Sequence, residues 1–263
     1  MTPFVGEFVG TAILVMLGNS AQANANLART RGEGSTGAAG SWMLVATGWG
    51  LALFAALAVV GGAWGPDGSQ LNPALTLALW WNESIGDATA AWRIAGQLLG
   101  AAIGAIAVFL LFLPHWGRTD DPSRKLACFA CTPAVRAPIS NLVGEAVGSF
   151  VFVLAVLLLR EVAITPAAGS VPSSMQAVAS IDVRMGALAA LGPALVLWAL
   201  ALGVGGVTGV GFNPARDLSP RIVHAILPIR GKGSSEWGYA WIPILGPLLG
   251  GIAAASLAPL LQA

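Results

Sequence analysis

The tripeptide Asn-Pro-Ala occurs twice, at Asn72-Pro73-Ala74 and Asn213-Pro214-Ala215, and constrains this chain more than any other feature. Asparagine is a strong helix N-cap, because its side-chain oxygen accepts a backbone N–H of the first turn. Proline fits the next position, where no N–H is required. Each copy follows a short Gly-containing stretch, Gly68-Ser69-Gln70-Leu71 or Gly209-Val210-Gly211-Phe212, and opens an apolar segment, 74–80 or 215–224. A helix that crosses a bilayer takes about 20 residues, so these segments read as half-helices. Their positive ends lie where the asparagines are.

Composition says where such half-helices can exist. Of 263 residues, 56% are hydrophobic and 10% charged, whereas a soluble domain carries about 25% charged residues. Short alternating strands are not evident, so the chain reads as an all-α integral membrane protein. A net charge of +1 offers no basic surface for nucleic acid. No charged region precedes the first apolar run, which argues against a cleaved signal peptide. Cys128 and Cys131 form a lone Cys-x-x-Cys, and His115 brings no second histidine, so no metal site is expected. The pair reads as incidental or as an accessory loop bond. Neither a cofactor nor a nucleophile–base constellation of an enzyme is indicated.

Apolar runs of spanning length fall near 4–17, 42–60, 90–113, 142–159, 185–204 and 239–261. The first is short and continues toward Ala23. Stretches 21–41 and 161–181 read as loops. The chain is expected to be one transmembrane domain, 1–263, with a first repeat at about 1–113, a polar connecting loop at 114–137 and a second repeat at about 138–263. Gly6-Glu7 opens the first span as Gly144-Glu145 opens the fourth, and each glutamate precedes its Asn-Pro-Ala by a similar interval. Three spans per repeat is odd, so the second copy is inverted, an arrangement that brings broken helices together at the midplane.

A carboxylate within a span is costly, so Glu7 and Glu145 do not face lipid. One reading is a proton or ion relay. The reading favoured by their matched places is structural: each accepts N–H groups from its half-helix loop. Gly6/Gly10, Gly96/Gly100/Gly104 and Gly144/Gly148 have the spacing that lets helix backbones approach closely.

A doubled Asn-Pro-Ala, the second followed by Arg216, with six spans and a Glu in spans one and four, resembles the major intrinsic proteins, the aquaporins and glycerol facilitators. The resemblance covers nearly the whole chain. Asp217, Arg221 and Pro243-Ile244 resemble the glycerol-facilitator branch. It implies a selectivity filter at Trp49, Ala201, Val210 and Arg216, without the histidine of water-selective members. Val210 stands where glycerol facilitators typically carry a second aromatic, which leaves open solutes larger than glycerol or a less selective pore. The resemblance also implies homotetramers, cytoplasmic termini and partners that are small neutral solutes (glycerol, other polyols, urea), water and lipid.

The residues suit that expectation. Each Asn amide is expected to donate to a passing oxygen, with the carbonyls of Gly68, Ser69, Gln70, Gly209, Val210 and Gly211 as acceptors. Arg216 offers donors and a fixed charge, Trp49 an apolar wall. Two half-helix ends, each carrying roughly half a positive charge, oppose cations and protons. The expected function is a passive channel for glycerol, similar solutes and water. The alternatives are a coupled transporter, which also uses broken-helix inverted repeats, or a water-selective or structural member with a weak pore. The abundance of Arg over Lys points to a GC-rich prokaryote and its cell membrane. Charge bias conflicts with the implied orientation. Arg29, Arg31, Arg118, Arg124, Lys125, Arg136, Arg230 and Lys232 fall in the loops implied to be outside, and only Arg93, Arg160 and Arg184 toward the inside.

Overall fold

The first helix opens on Thr2, whose hydroxyl accepts the Val5 N–H at 3.4 Å, with Pro3 at the first helical position. The computed structural model describes residues 2–33, 37–61, 68–159 and 186–262. In chain order its helices are α1 (Pro3–Asn26), α2 (Gly37–Val59), α3 (Pro73–Trp81), α4 (Asp87–Leu111), α5 (Leu113–Trp116), α6 (Pro122–Ala127), α7 (Pro138–Leu158), α8 (Leu191–Gly203), α9 (Pro214–Ile226) and α10 (Ile242–Gln262). Five of them, α1, α2, α4, α7 and α10, are long and apolar enough to cross a membrane. The sixth span is described from a 3-10 turn, Gly186–Ala190, that runs directly into α8. The short α3 and α9 are the two re-entrant half-helices of this all-α fold.

Two differences from expectation matter for the packing. Helix α1 runs on to Asn26, where a loop is expected from residue 21. Its polar end looks loop-like in sequence, yet Asn19 and Gln22 are buried, and Asn26 donates back to Gln22. The connection 114–137 is a folded cap rather than a plain loop. It contains α5 and α6, buries Trp116, Leu126 and Phe129, and accepts the Ala28 N–H on Thr119 Oγ1 at 2.9 Å. The loop expected at 161–181, with Arg160 and Arg184, lies outside the described residues.

Packing repeats across the two halves. Helix α1 lies on α4 as α7 lies on α10; α4 supports half-helix α9, and α10 supports α3. Glycines set the closest approaches. A methyl on Gly100 would stand 2.3 Å from the Phe8 carbonyl oxygen of α1, and one on Gly250 would stand 2.1 Å from the Ala146 oxygen of α7. The matching stripe of the second half is therefore Gly246/Gly250 on α10, not Gly144/Gly148. A methyl at Gly144 meets nothing closer than Val207 at 4.0 Å. Gly10 and Gly148 instead seat the side chains of Leu71 and Phe212. Gly250→Ala should thus cost about 1–3 kcal/mol by overpacking, while Gly144→Ala should leave stability unchanged or slightly raised. Thermal unfolding of the two variants in detergent checks this; equal losses would refute it.

Leu51, Leu99, Leu110, Val147 and Leu249 are exposed around the bundle, as lipid-facing side chains are. Trp80, Trp81 and Trp92 are exposed at one end, Trp237 and Trp241 at the other, where interfacial tryptophans belong.

Candidate functional site

The two half-helices meet tip to tip. Asn72 Oδ1 accepts the Ala74 N–H at 2.9 Å, and Asn213 Oδ1 accepts those of Ala215 and Arg216 at 3.0 and 3.3 Å. Their amides reach across. Asn72 Nδ2 donates to the Phe212 carbonyl at 2.8 Å, and Asn213 Nδ2 to that of Leu71 at 2.7 Å. The amides are therefore not wholly free, as the sequence reading expects. Each spends one N–H on the opposite loop and keeps the other.

The residue before each asparagine turns left-handed, Leu71 at φ 55° and Phe212 at φ 50°. That conformation costs about 1–2 kcal/mol for a residue with a Cβ, and buried carboxylates offset it. Glu7 accepts the N–H groups of Gln70 and Leu71 at 2.8 and 2.7 Å; Glu145 accepts that of Phe212 at 2.7 Å. The first half adds a charge and an amide from α4. Arg93 pairs with Glu7 at 2.9 Å and also donates to the Gly68 carbonyl. Gln97 donates to Glu7 and to Thr76 Oγ1, both at 2.9 Å. Counted from the matched glycines, α10 carries Pro243 and Pro247 at those two places. Glu145 thus receives no such side chains from its own α10.

A narrow cavity of only about 20 Å³ runs past both tips. Leu14, Trp49, Leu53, Phe152 and Leu197 give it an apolar wall. Asn72, Asn213, Arg216, Gln70, Val210 and Gly211 face it from the polar side. Trp49 and Arg216 stack, guanidinium carbon 4.6 Å from the ring centroid. Arg216 Nη2 is held by the Gly209 carbonyl at 3.0 Å. Its Nε and Nη1, with Trp49 Nε1, are buried and have no partner in the protein. Three N–H-bearing nitrogens are therefore kept for whatever occupies the lane.

Not every expected site residue comes to this lane. Ala201 is not among its lining residues: it is fully buried, and the Trp42 indole covers its turn of α8, donating to its carbonyl at 3.2 Å. Leu197, one turn earlier, faces the lane instead. Ser69 is buried outside the lining, and the Gly68 carbonyl is occupied by Arg93. Gly209 belongs to the wider mouth beyond Arg216. Pro73, Ala74, Pro214 and Ala215 sit buried in the first turns behind the asparagines.

Asp217 does not pair with its neighbour Arg216. It forms a two-pronged ion pair with Arg221 at 2.8 and 2.9 Å and accepts the Cys131 N–H at 2.7 Å. Arg221 continues to the carbonyls of Cys131 and Ser235. This knot ties α9 to the connecting cap and leaves Arg216 free to face the lane. Cys128 and Cys131 are buried free thiols, not joined by the loop bond that was one expectation, and burial pushes both above the ordinary thiol range.

Sequence reasoning missed Gly18, where a methyl would stand 2.4 Å from the Trp49 ring. It also missed the Arg93–Gln97 support of Glu7. Arg93 and Gln97 bracket the Gly96 stripe on one face of α4, which is the signal that could have revealed them.

The family model for the major intrinsic protein matches residues 1–258. A probable glycerol uptake facilitator protein of Thermotoga maritima is 39% identical over 261 residues, 98% of each chain. The glycerol uptake facilitator protein of Bacillus subtilis is 40% identical over 259 residues, 95% of this chain and 81% of that one. The X-ray structure of the aquaglyceroporin from Plasmodium falciparum superposes with a TM-score of 0.74 at 21% identity, covering 99% of this chain and 98% of that chain, which speaks for the fold. These relatives are named as facilitators, not enzymes. With its paired half-helices capped by Asn72 and Asn213 inside a membrane-embedded helical bundle, this chain belongs to the major intrinsic protein family.

Proposed function

We propose that this chain is a passive channel that conducts glycerol and other small neutral polyols, together with water, and holds back ions and protons. One observation carries the reading: the lane is greasy on one side and lined with unspent N–H donors on the other. A polyol has the same two faces, carbons with their hydrogens and a row of hydroxyls. Arg216 and Trp49 offer three partnerless nitrogens and the two asparagines one spare N–H each, which replaces hydration in steps without a deep trap. Trp49, Val210 and Arg216 form the filter in this reading, with Leu197 in the place expected of Ala201. Urea fits the same donors.

A coupled transporter needs a group that takes up a proton or an ion along the path. Arg216 is the sole ionisable residue among the described residues lining the lane, and a guanidinium has donors only, with no site to take up a proton. Glu7 and Glu145 hold loop backbone instead.

The rest of the reading is assembly and orientation: a homotetramer in a prokaryotic cell membrane, termini cytoplasmic, with Arg216 nearer the outer mouth. The charge bias weighs little against this orientation, because several contrary cations have local duties. Lys125 binds the Arg230 and Gly231 carbonyls, Lys232 caps the end of α9, and Arg136 pairs with Glu236.

Stopped-flow light scattering on proteoliposomes tests the function. Glycerol should re-swell the vesicles down its own gradient, at a rate untouched by collapsing a pH gradient or potential. Flux that needs either gradient, or none above empty liposomes, would sink the proposal.

A further inference from the structure

The wide mouth beyond the filter is lined partly by Trp42, Val45 and Ser41 of α2. Trp42 lies seven residues before Trp49, two helical turns away on the same face, and Trp49 lines the narrow lane. Trp42 is held in place. Its Nε1 donates to Ala201, one of the last carbonyls of α8, which lack helical partners. Its ring lies on Gly205, where an added methyl would stand 3.2 Å from the ring and 2.7 Å from a Val210 methyl. Only a glycine there lets indole and Val210 close on each other. The mouth is also lined by the polar Gln22, Asn26 and Thr132.

We propose that Trp42 is a further specificity-determining residue, an aromatic plate at the mouth that receives the carbon face of a polyol before it reaches Trp49. The proposal rests on the polyol-channel reading above. Trp42 and Val45 in the mouth then extend the apolar side that Trp49 and Leu53 form in the lane, and Asn26 in the mouth the polar side that Arg216 forms there. Val210 is too small to offer an aromatic surface, and Trp42 supplies one beside it. Water has no carbon face, so the plate favours polyol over water. The anchor on Ala201 keeps the ring from swinging across the path.

The test compares wild type, Trp42→Ala and Trp42→Phe in proteoliposomes, measuring water, glycerol and a five-carbon polyol under the same conditions. Trp42→Ala should lower glycerol permeability about threefold to tenfold and the five-carbon polyol at least as much, with water changed less than about twofold. Trp42→Phe, which keeps a ring but not the anchor, should recover most of the polyol-to-water ratio lost in Trp42→Ala. Wild type that moves glycerol, with that ratio unchanged in Trp42→Ala, overturns this inference alone. So does a parallel fall of polyol and water in both variants, which marks a collapsed mouth. Wild type that moves no polyol overturns this inference together with the channel reading beneath it.

Discussion

Glu7→Gln should destabilise this protein several-fold more than Glu145→Gln, although the two glutamates hold matching loops. Both are fully buried. Glu7 neutralises Arg93, whose side chain is 6% exposed, while accepting two loop N–H groups and Gln97. Glutamine removes the negative charge that Glu7 sets beside the guanidinium and turns an amide NH₂ toward a backbone donor. Breaking one side of a buried pair costs about 3–5 kcal/mol. Glu145 accepts the Phe212 N–H and lies against the Thr208 hydroxyl, with prolines where α4 supplies Arg93 and Gln97. A glutamine oxygen can keep that N–H bond, so the expected loss is about 0.5–1.5 kcal/mol. In thermal unfolding the first variant should fall by about 10 °C and the second by no more than about 4 °C. Adding Arg93→Met to Glu7→Gln should recover part of the loss, because the buried positive charge goes with it. Equal shifts for the two single variants would show that the ion pair adds nothing beyond the loop hydrogen bonds.

That asymmetry also marks how far the sequence could be read. The half-helix starts were legible because Asn-Pro has one strong meaning, N-cap then first turn, and both boundaries fall within two residues of expectation. The roles of Glu7 and Glu145 followed from the cost of a carboxylate inside a span. Arg93 was legible only as a loop-side cation, since nothing in a linear chain says that α4 lays it against Glu7. Ala201 was placed by the family resemblance, which fixes a helix and a register but not which neighbour covers the turn; Trp42 covers it. The close packing on α10 was hidden because Gly246 and Gly250 stand among prolines, and the stripe resembles a breaker-rich stretch. Asp217 and Arg221 were legible only as branch markers; residues four apart share a helix face, and the two pair there.

Arg216→Val should turn the lane from an ion-tight passage into a leaky one. Arg216 is the one charge among the described residues lining it, and its guanidinium is fixed by Trp49 and the Gly209 carbonyl rather than neutralised. At about 5 Å and an effective dielectric of 20, a unit positive charge opposes a passing cation by about 3 kcal/mol, a factor of about 100 in rate. Valine removes that barrier and the two partnerless guanidinium nitrogens together. Glycerol, which loses those donors, should slow about tenfold, whereas water, smaller and able to bond in file, should pass as fast or faster. The half-helix tips at Asn72 and Asn213 remain, each with roughly half a positive charge, so the proton leak is bounded by that second barrier. Adding Asn213→Asp isolates it: the carboxylate still caps Ala215 and Arg216→Val has already opened the mouth, so the leak should rise again in the double variant. A pH-sensitive dye inside proteoliposomes under a potassium diffusion potential reads all three. If Arg216→Val leaves the proton leak at the wild-type level while the double variant raises it, exclusion resides at the paired helix tips and the arginine serves the polyol alone; if neither variant leaks, fixed positive charge along the lane is not what keeps ions out.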